Sequence, residues 1–169
     1  MNIKLLAEIA EREIGQREVT RNASPRIVEY QQSTILAPGS WSWCAAFVSW
    51  CLQQWLADEK NFAAVARNDK ETRGSWRCKS ARAFAWETWA QNNTSCLLLP
   101  PDSPAKRGDI VTFTFSHIGI VSADSDRKTV ATVEGNTGAD GGRDGDGVYA
   151  KHRDRTLFRK IIRIVGSQK

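Results

Sequence analysis

Apolar residues recur at helical spacing through the first half of this chain and gather into short β-branched runs in the second. Ile3, Leu6, Ala10 and Ile14 fall at steps of three and four with charges between them, predicting a helix over 3–14 that Gly15 stops. Ser24-Pro25 opens a second short helix running to about Gln32. From Cys44, the apolar positions Phe47, Val48, Cys51, Leu52 and Trp55 repeat at the same steps, so residues 43–57 read as one buried amphipathic helix with Ser42 as its N-cap. A short helix is expected over 59–67. Another is expected over 80–92, carrying Phe84, Trp86 and Trp89. Strands are expected near 109–114, 117–122, 129–134, 147–152 and 160–165. Helices first and an antiparallel sheet of about five strands afterwards is an α+β arrangement.

The 169 residues are enough to bury a sizeable core, and no Pro, Gly or Ser-rich linker divides them, so a single domain over 1–169 is expected. No apolar run approaches the ~18 residues of a membrane span, and the first fifteen residues carry charges throughout, so neither a span nor a signal peptide is expected. The net charge of +5 is concentrated: residues 151–169 hold seven Lys or Arg against one Asp. Such a segment either attracts polyanions or solvates the outer face of a last strand around Ile161, Ile162, Ile164 and Val165. The cysteines Cys44, Cys51, Cys78 and Cys96 show no paired C-x-x-C spacing, so no metal site and no cofactor are expected. Cys78 and Cys96 remain a candidate disulfide pair.

Cys44 stands out because it falls in the first turn of its helix. Unpaired backbone N–H groups and the positive end of the helix dipole favour a thiolate there. Cysteine is also a common core residue, and Cys51, two turns deeper on the same face, is read that way. A partner base decides between the readings. Of the two histidines, His152 lies in the charged stretch Lys151-His152-Arg153-Asp154-Arg155 and is expected at the surface. His117 lies in a long run from Asp109 to Val121, read as two strands joined by a tight turn near Phe115 and Ser116. It would begin the second strand, where an imidazole can reach a neighbouring helix end. The strand from Thr129 ends in Glu134-Gly135-Asn136, and either Glu134 or Asn136 could hold the second imidazole nitrogen. Nucleophile, base and orienting group are the three roles of a cysteine hydrolase.

Three blocks carry a family resemblance: Trp43-Cys44-Ala45-Ala46-Phe47-Val48, Gly108-Asp109-Ile110-Val111 followed by Ser116-His117-Ile118-Gly119-Ile120-Val121, and Glu134-Gly135-Asn136. Together they resemble the signature of CHAP-type peptidoglycan hydrolases, within the papain-like NlpC/P60 cysteine peptidases and amidases. Glu13-Ile14-Gly15, residues 25–30 and residues 142–149 are similar to single-domain phage and prophage members. The resemblance implies a papain-like α+β fold with Cys44 as nucleophile, His117 as general base and then acid, and Glu134 or Asn136 orienting His117. It implies an oxyanion hole that uses the Cys44 backbone N–H. It further places Trp41, Trp43 and Ser116 at the substrate. Some CHAP domains bind calcium, but residues 140–147 lack the closing Glu of an EF-hand loop and read better as a Gly-rich hairpin turn.

The function implied is cleavage of an amide bond in peptidoglycan, between N-acetylmuramic acid and L-alanine or within the peptide stem or crossbridge. Peptidoglycan is the expected partner, joined by an inhibitory immunity protein if the chain is a secreted antibacterial effector rather than a phage lysin. Nucleic acid is not expected. Holin- or secretion-system-mediated export would carry the protein from the cytoplasm to the periplasm or wall. Two other readings stand beside this one: a non-catalytic wall-binding or virion structural module on the same fold, and a cysteine hydrolase of protein isopeptide or thioester bonds.

Overall fold

The helix starts follow local chemistry where a cap is present. In a computed structural model, which describes residues 1–22, 24–142 and 144–167, α1 (Lys4–Glu11) is the core of the first apolar repeat and stops three residues before Ile14. In α2 (Pro25–Gln32), Ser24 Oγ accepts from Ile27 N–H at 3.2 Å, and Pro25 fills a first-turn position that needs no donor. The central helix α3 (Cys44–Trp55) has ten of its twelve side chains buried, so it is enclosed on nearly all sides rather than amphipathic. Three shorter helices follow: α4 (Glu59–Val65), α5 (Arg73–Trp76) and α6 (Ala85–Gln91). The four-residue α5 carries too little periodicity to be read from sequence. No helix among the described residues is long and apolar enough to cross a membrane.

Six strands follow: β1 (Cys96–Leu99), β2 (Ile110–Phe113), β3 (His117–Val121), β4 (Thr129–Thr137), β5 (Gly147–Asp154) and β6 (Phe158–Ile164). They form one antiparallel sheet in the order β1-β6-β2-β3-β4-β5. β1 is the strand the sequence pattern leaves out, because Cys-Leu-Leu-Leu is short and does not alternate. The architecture is α+β, with a six-stranded sheet where about five strands are expected.

The two sheet faces carry separate apolar cores. Ile110, Ile118, Ile120, Val133, Ile162 and Ile164 pack towards α1, α3 and the other helices. Val111, Phe113, Val121, Val130, Phe158 and Ile161 form the second cluster on the far face. Each fully buried side chain of this size contributes on the order of 1.5–3 kcal/mol by leaving water. α3 packs against β3 and β4, and Gly135 is what lets it come close. A Cβ there would lie 2.7 Å from both Phe47 Cβ and Trp43 Cζ3. The Glu-Gly-Asn sequence therefore brings the end of β4 against the first turn of α3.

Candidate active site

The first turn of α3 is presented by a loop fixed from below. The buried Gln31 amide bonds both sides of Gly39: its Nε2 donates to Gly39 O at 2.7 Å and its Oε1 accepts from Gly39 N–H at 3.1 Å. Ser42, expected as the N-cap, instead donates to Asp144 Oδ1 at 3.0 Å, and the N-cap position belongs to Trp43 without a side-chain cap bond. Asn136 takes over part of that task from another strand. Its Oδ1 accepts from Trp43 N–H at 2.5 Å, and its Nδ2 donates to Gly145 O at 2.9 Å. The first bond within the helix runs from Phe47 N–H to Trp43 O, so the N–H groups of Cys44, Ala45 and Ala46 precede it. Cys44 sits at this end with 5% of its surface exposed.

His117 opens β3 directly after the turn at 114–116, where Ser116 adopts φ +56°. Its ring is fully buried, stacked 5.7 Å from both Phe113 and Phe115. Nε2 lies 3.0 Å from Glu134 Oε2, which leaves Nδ1 as the nitrogen for the Cys44 thiol. Neither ring nitrogen is in a well-aligned hydrogen bond. Contacts of this kind often tighten only when substrate is bound. Glu134 is itself fully buried and well satisfied. Oε1 accepts from Thr132 Oγ1 at 2.6 Å and from Arg153 Nε at 2.8 Å, and Oε2 accepts from Arg153 Nη2 at 2.5 Å. Gly119 makes room for this carboxylate, because a Cβ there would lie 2.7 Å from Glu134 Cγ.

The electrostatics follow from this packing. Burial opposes ionisation of His117, but its contacts with Cys44 and Glu134 outweigh burial and raise its pKa from 6.5 to about 9. Burial likewise opposes charge on Glu134, yet Arg153 and His117 bring its pKa down from 4.5 to about 2. A raised histidine pKa contributes stability that is complete below pH 6.5 and is lost as pH rises through about 9; a depressed carboxylate pKa contributes stability present above pH 4.5 and lost as pH falls through about 2. The melting temperature should therefore decline as pH rises from 6.5 through about 9, and His117→Gln should flatten that decline. Equal declines in the two proteins would contradict the assignment of the charge to His117.

The other thiols behave as core. Cys51 is fully buried, and desolvation pushes its pKa well up. Burial pushes Cys78 to about 11 and Cys96 to about 12. All four cysteines are free, so Cys78 and Cys96 are not paired. Among the described residues, no three His, Cys, Asp or Glu side chains gather for a metal ion. In the Gly-rich turn, Asp140 accepts from Gly142 N–H, and Asp146 pairs with Arg17 and accepts from Tyr149 Oη. Arg143 of that turn lies outside the described residues.

The structure bears on three further expectations. Trp43 does not wall a cleft: it is fully buried against Tyr30, with its indole Nε1 donating to Glu18 Oε1 at 2.7 Å. Trp41 is half-buried, its indole Nε1 donating to Ala37 O at 2.9 Å, and Ser116 is exposed. Asn136 is not brought to His117 by its described hydrogen bonds, which run to Trp43 and Gly145. The basic C-terminal segment is not an open patch. Arg153, Arg159 and Arg163 pair with Glu134, Glu87 and Asp109, while Arg155 donates to the carbonyls of Pro101, Ser103, Ser125 and Arg127. Lys169 lies outside the described residues. A surface cavity of about 500 Å³ is lined by residues of the 123–127 loop with Thr129, Ala131 and His152, none of them in the Cys44 cluster.

Arg153 and Thr132 are the members of this network that sequence reasoning misses. No local signal in the sequence finds Arg153; its place follows from the strand register. In the β4–β5 register, Val130 faces Arg153 and Glu134 faces Tyr149, so Glu134 and Arg153 share a sheet face.

A cysteine at a helix N-terminus, an imidazole and a buried carboxylate follow one another in the layout of a papain-like fold. A family model for the CHAP domain matches residues 37–136, more than half of the chain, and the chain belongs to that family. Membership indicates a hydrolase acting on peptidoglycan in general terms. No curated protein matches the sequence.

Proposed function

We propose that residues 1–169 act as one CHAP catalytic domain that hydrolyses an amide bond of peptidoglycan through Cys44, either as an N-acetylmuramoyl-L-alanine amidase or as a stem or crossbridge endopeptidase. The observation that carries this reading is the run from Cys44 through His117 to Glu134, with a 3.0 Å His117–Glu134 contact at zero exposure. A buried charged network costs desolvation, and active sites are where such networks concentrate.

In this reading Cys44 Sγ attacks the amide carbonyl, and the Cys44 backbone N–H stabilises the oxyanion. His117 holds the proton taken from sulfur and gives it to the departing amine, leaving a thioester on Cys44. Water then attacks the thioester with His117 as base, releasing the carboxylate and the free thiol. Glu134 keeps the ring oriented and stabilises its charged form. Trp41 and Ser116 face the substrate. The setting is the periplasm or wall, where peptidoglycan lies, reached as a phage lysin or as a secreted effector with an immunity protein as its inhibitor.

The 5% exposure of Cys44 is the observation that favours the second reading, a wall-binding or virion structural module. Turbidity of purified walls separates the two. Clearing by the wild type that Cys44→Ala abolishes supports the enzyme, whereas binding without clearing supports the module. Gly119→Ala offers a subtler check. The added Cβ displaces the Glu134 side chain, so clearing should slow by up to about 10²-fold while the protein stays folded. An unchanged rate would mean that Glu134 does not act through its position.

A further inference from the structure

The charge on Glu134 is not set by His117 alone. Arg153 grips the carboxylate at both oxygens, is only 8% exposed, and places its guanidinium carbon 5.5 and 5.4 Å from the Phe113 and Phe115 ring centres. Its remaining nitrogen, Nη1, donates to Gly141 O at 2.9 Å. Gly141 takes φ +88°, and a Cβ there would lie 3.0 Å from that same Nη1. Residues 144 and 145 of the glycine-rich loop are in turn fastened on the nucleophile's side. Gly145 O accepts from Asn136, whose Oδ1 holds Trp43 N–H, and Ser42 donates to Asp144. The contacts close a ring: Cys44, His117, Glu134, Arg153, the glycine-rich loop, Asn136, Trp43 and back to Cys44.

We propose that Arg153 is a positioning residue that clamps the Glu134 carboxylate against His117 and couples it to the glycine-rich loop. This rests on the reading of Cys44, His117 and Glu134 as the catalytic groups. Arg153 lies on β5, beyond the residues that the CHAP family model matches. The groups that face Glu134 are His117 from β3, Thr132 from its own strand, and Arg153 and Lys151 from β5, with Cys44 behind His117. Removing Arg153 strips the bidentate partner from a carboxylate with no exposure and leaves only Thr132 and His117 to hold a buried charge, which shifts the balance towards the protonated acid. His117 then loses part of the negative charge that stabilises its charged form.

The test is the pH profile of Cys44 alkylation by iodoacetamide, followed by peptide mass spectrometry, in the wild type, Arg153→Met, Arg153→Lys, Glu134→Gln and the double variant Arg153→Met/Glu134→Gln. Arg153→Met should slow alkylation at neutral pH by about 10-fold or more and move the acid limb of the profile to higher pH. Arg153→Lys should recover part of both, since it keeps the charge and loses the fork. The double variant should be no slower than Glu134→Gln, because the arginine has nothing left to position. Melting curves verify that each variant is folded, and Arg153→Lys and the charge-free double variant carry the comparison should Arg153→Met not fold. A wild-type profile in Arg153→Met, or in Arg153→Lys and the double variant alike, overturns the proposal, as does an equal slowing by the Arg153 substitution with and without Glu134. Alkylation needs no wall substrate. Failure of the wild type to clear walls would therefore count against the function proposed above and leave the clamp tested on its own.

Discussion

Replacing Cys44 by Ala should lower the rate of wall clearing by on the order of 10⁴–10⁶-fold, and His117→Ala should do nearly the same. Both residues act in one covalent sequence, so either loss removes the acyl-enzyme route. The double variant Cys44→Ala/His117→Ala should be no slower than the worse of the two singles. Stability should respond differently. Cys44 sits at the edge of the core with little surface exposed, and deleting its sulfur leaves a small void worth about 1 kcal/mol. Cys44→Ala should therefore melt close to the wild type, while His117→Ala also strips one partner from Glu134 and should melt lower. Turbidity and thermal melts check both claims. A Cys44→Ala protein that clears walls at a comparable rate would remove the sulfur from the mechanism.

The second large effect separates Glu134 from Asn136. Glu134→Gln keeps the shape of the side chain but removes the negative charge that faces His117 Nε2 and leaves Arg153 buried without its counterion. Activity should fall by on the order of 10²–10⁴-fold. Asn136→Ala should act mainly on stability. It orphans the Trp43 N–H and places alanine at φ +56°, together costing on the order of 2 kcal/mol or more. Asn136→Gly relieves the backbone part and should recover some of the loss. If folded Asn136→Ala is inactive while Glu134→Gln turns over normally, the orienting group is the asparagine and Glu134 is an onlooker.

What the chain discloses by itself is local. Helical spacing marks α3, the first-turn position singles out Cys44, and β-branched runs mark the strands that carry His117 and Glu134. The structure brings these three residues together. Features that depend on which strand lies beside which are not legible. Arg153 sits in Lys-His-Arg-Asp-Arg, where a run of charges reads as a solvated face, yet the pleat turns Arg153 inward while His152 stays exposed. Trp43 looks like a cleft wall because it precedes the nucleophile, but the first turn of α3 is pressed onto Gly135 and leaves that indole no path to solvent. β1 escapes notice because four apolar residues before Pro100 have no alternation. The capping of α3 from Asn136, 93 positions away in sequence, is a tertiary substitute for a local cap.

The central claim is that Cys44 cuts an amide bond of peptidoglycan by way of a thioester, and the most direct measurement is mass spectrometry of fragments released from purified sacculi in ¹⁸O-labelled water. Wild-type protein should release fragments that end in a new free amine on one side and a carboxylate carrying one labelled oxygen on the other, and Cys44→Ala should release none. Fragments with new reducing sugar ends, or the same amide products from Cys44→Ala, would contradict it.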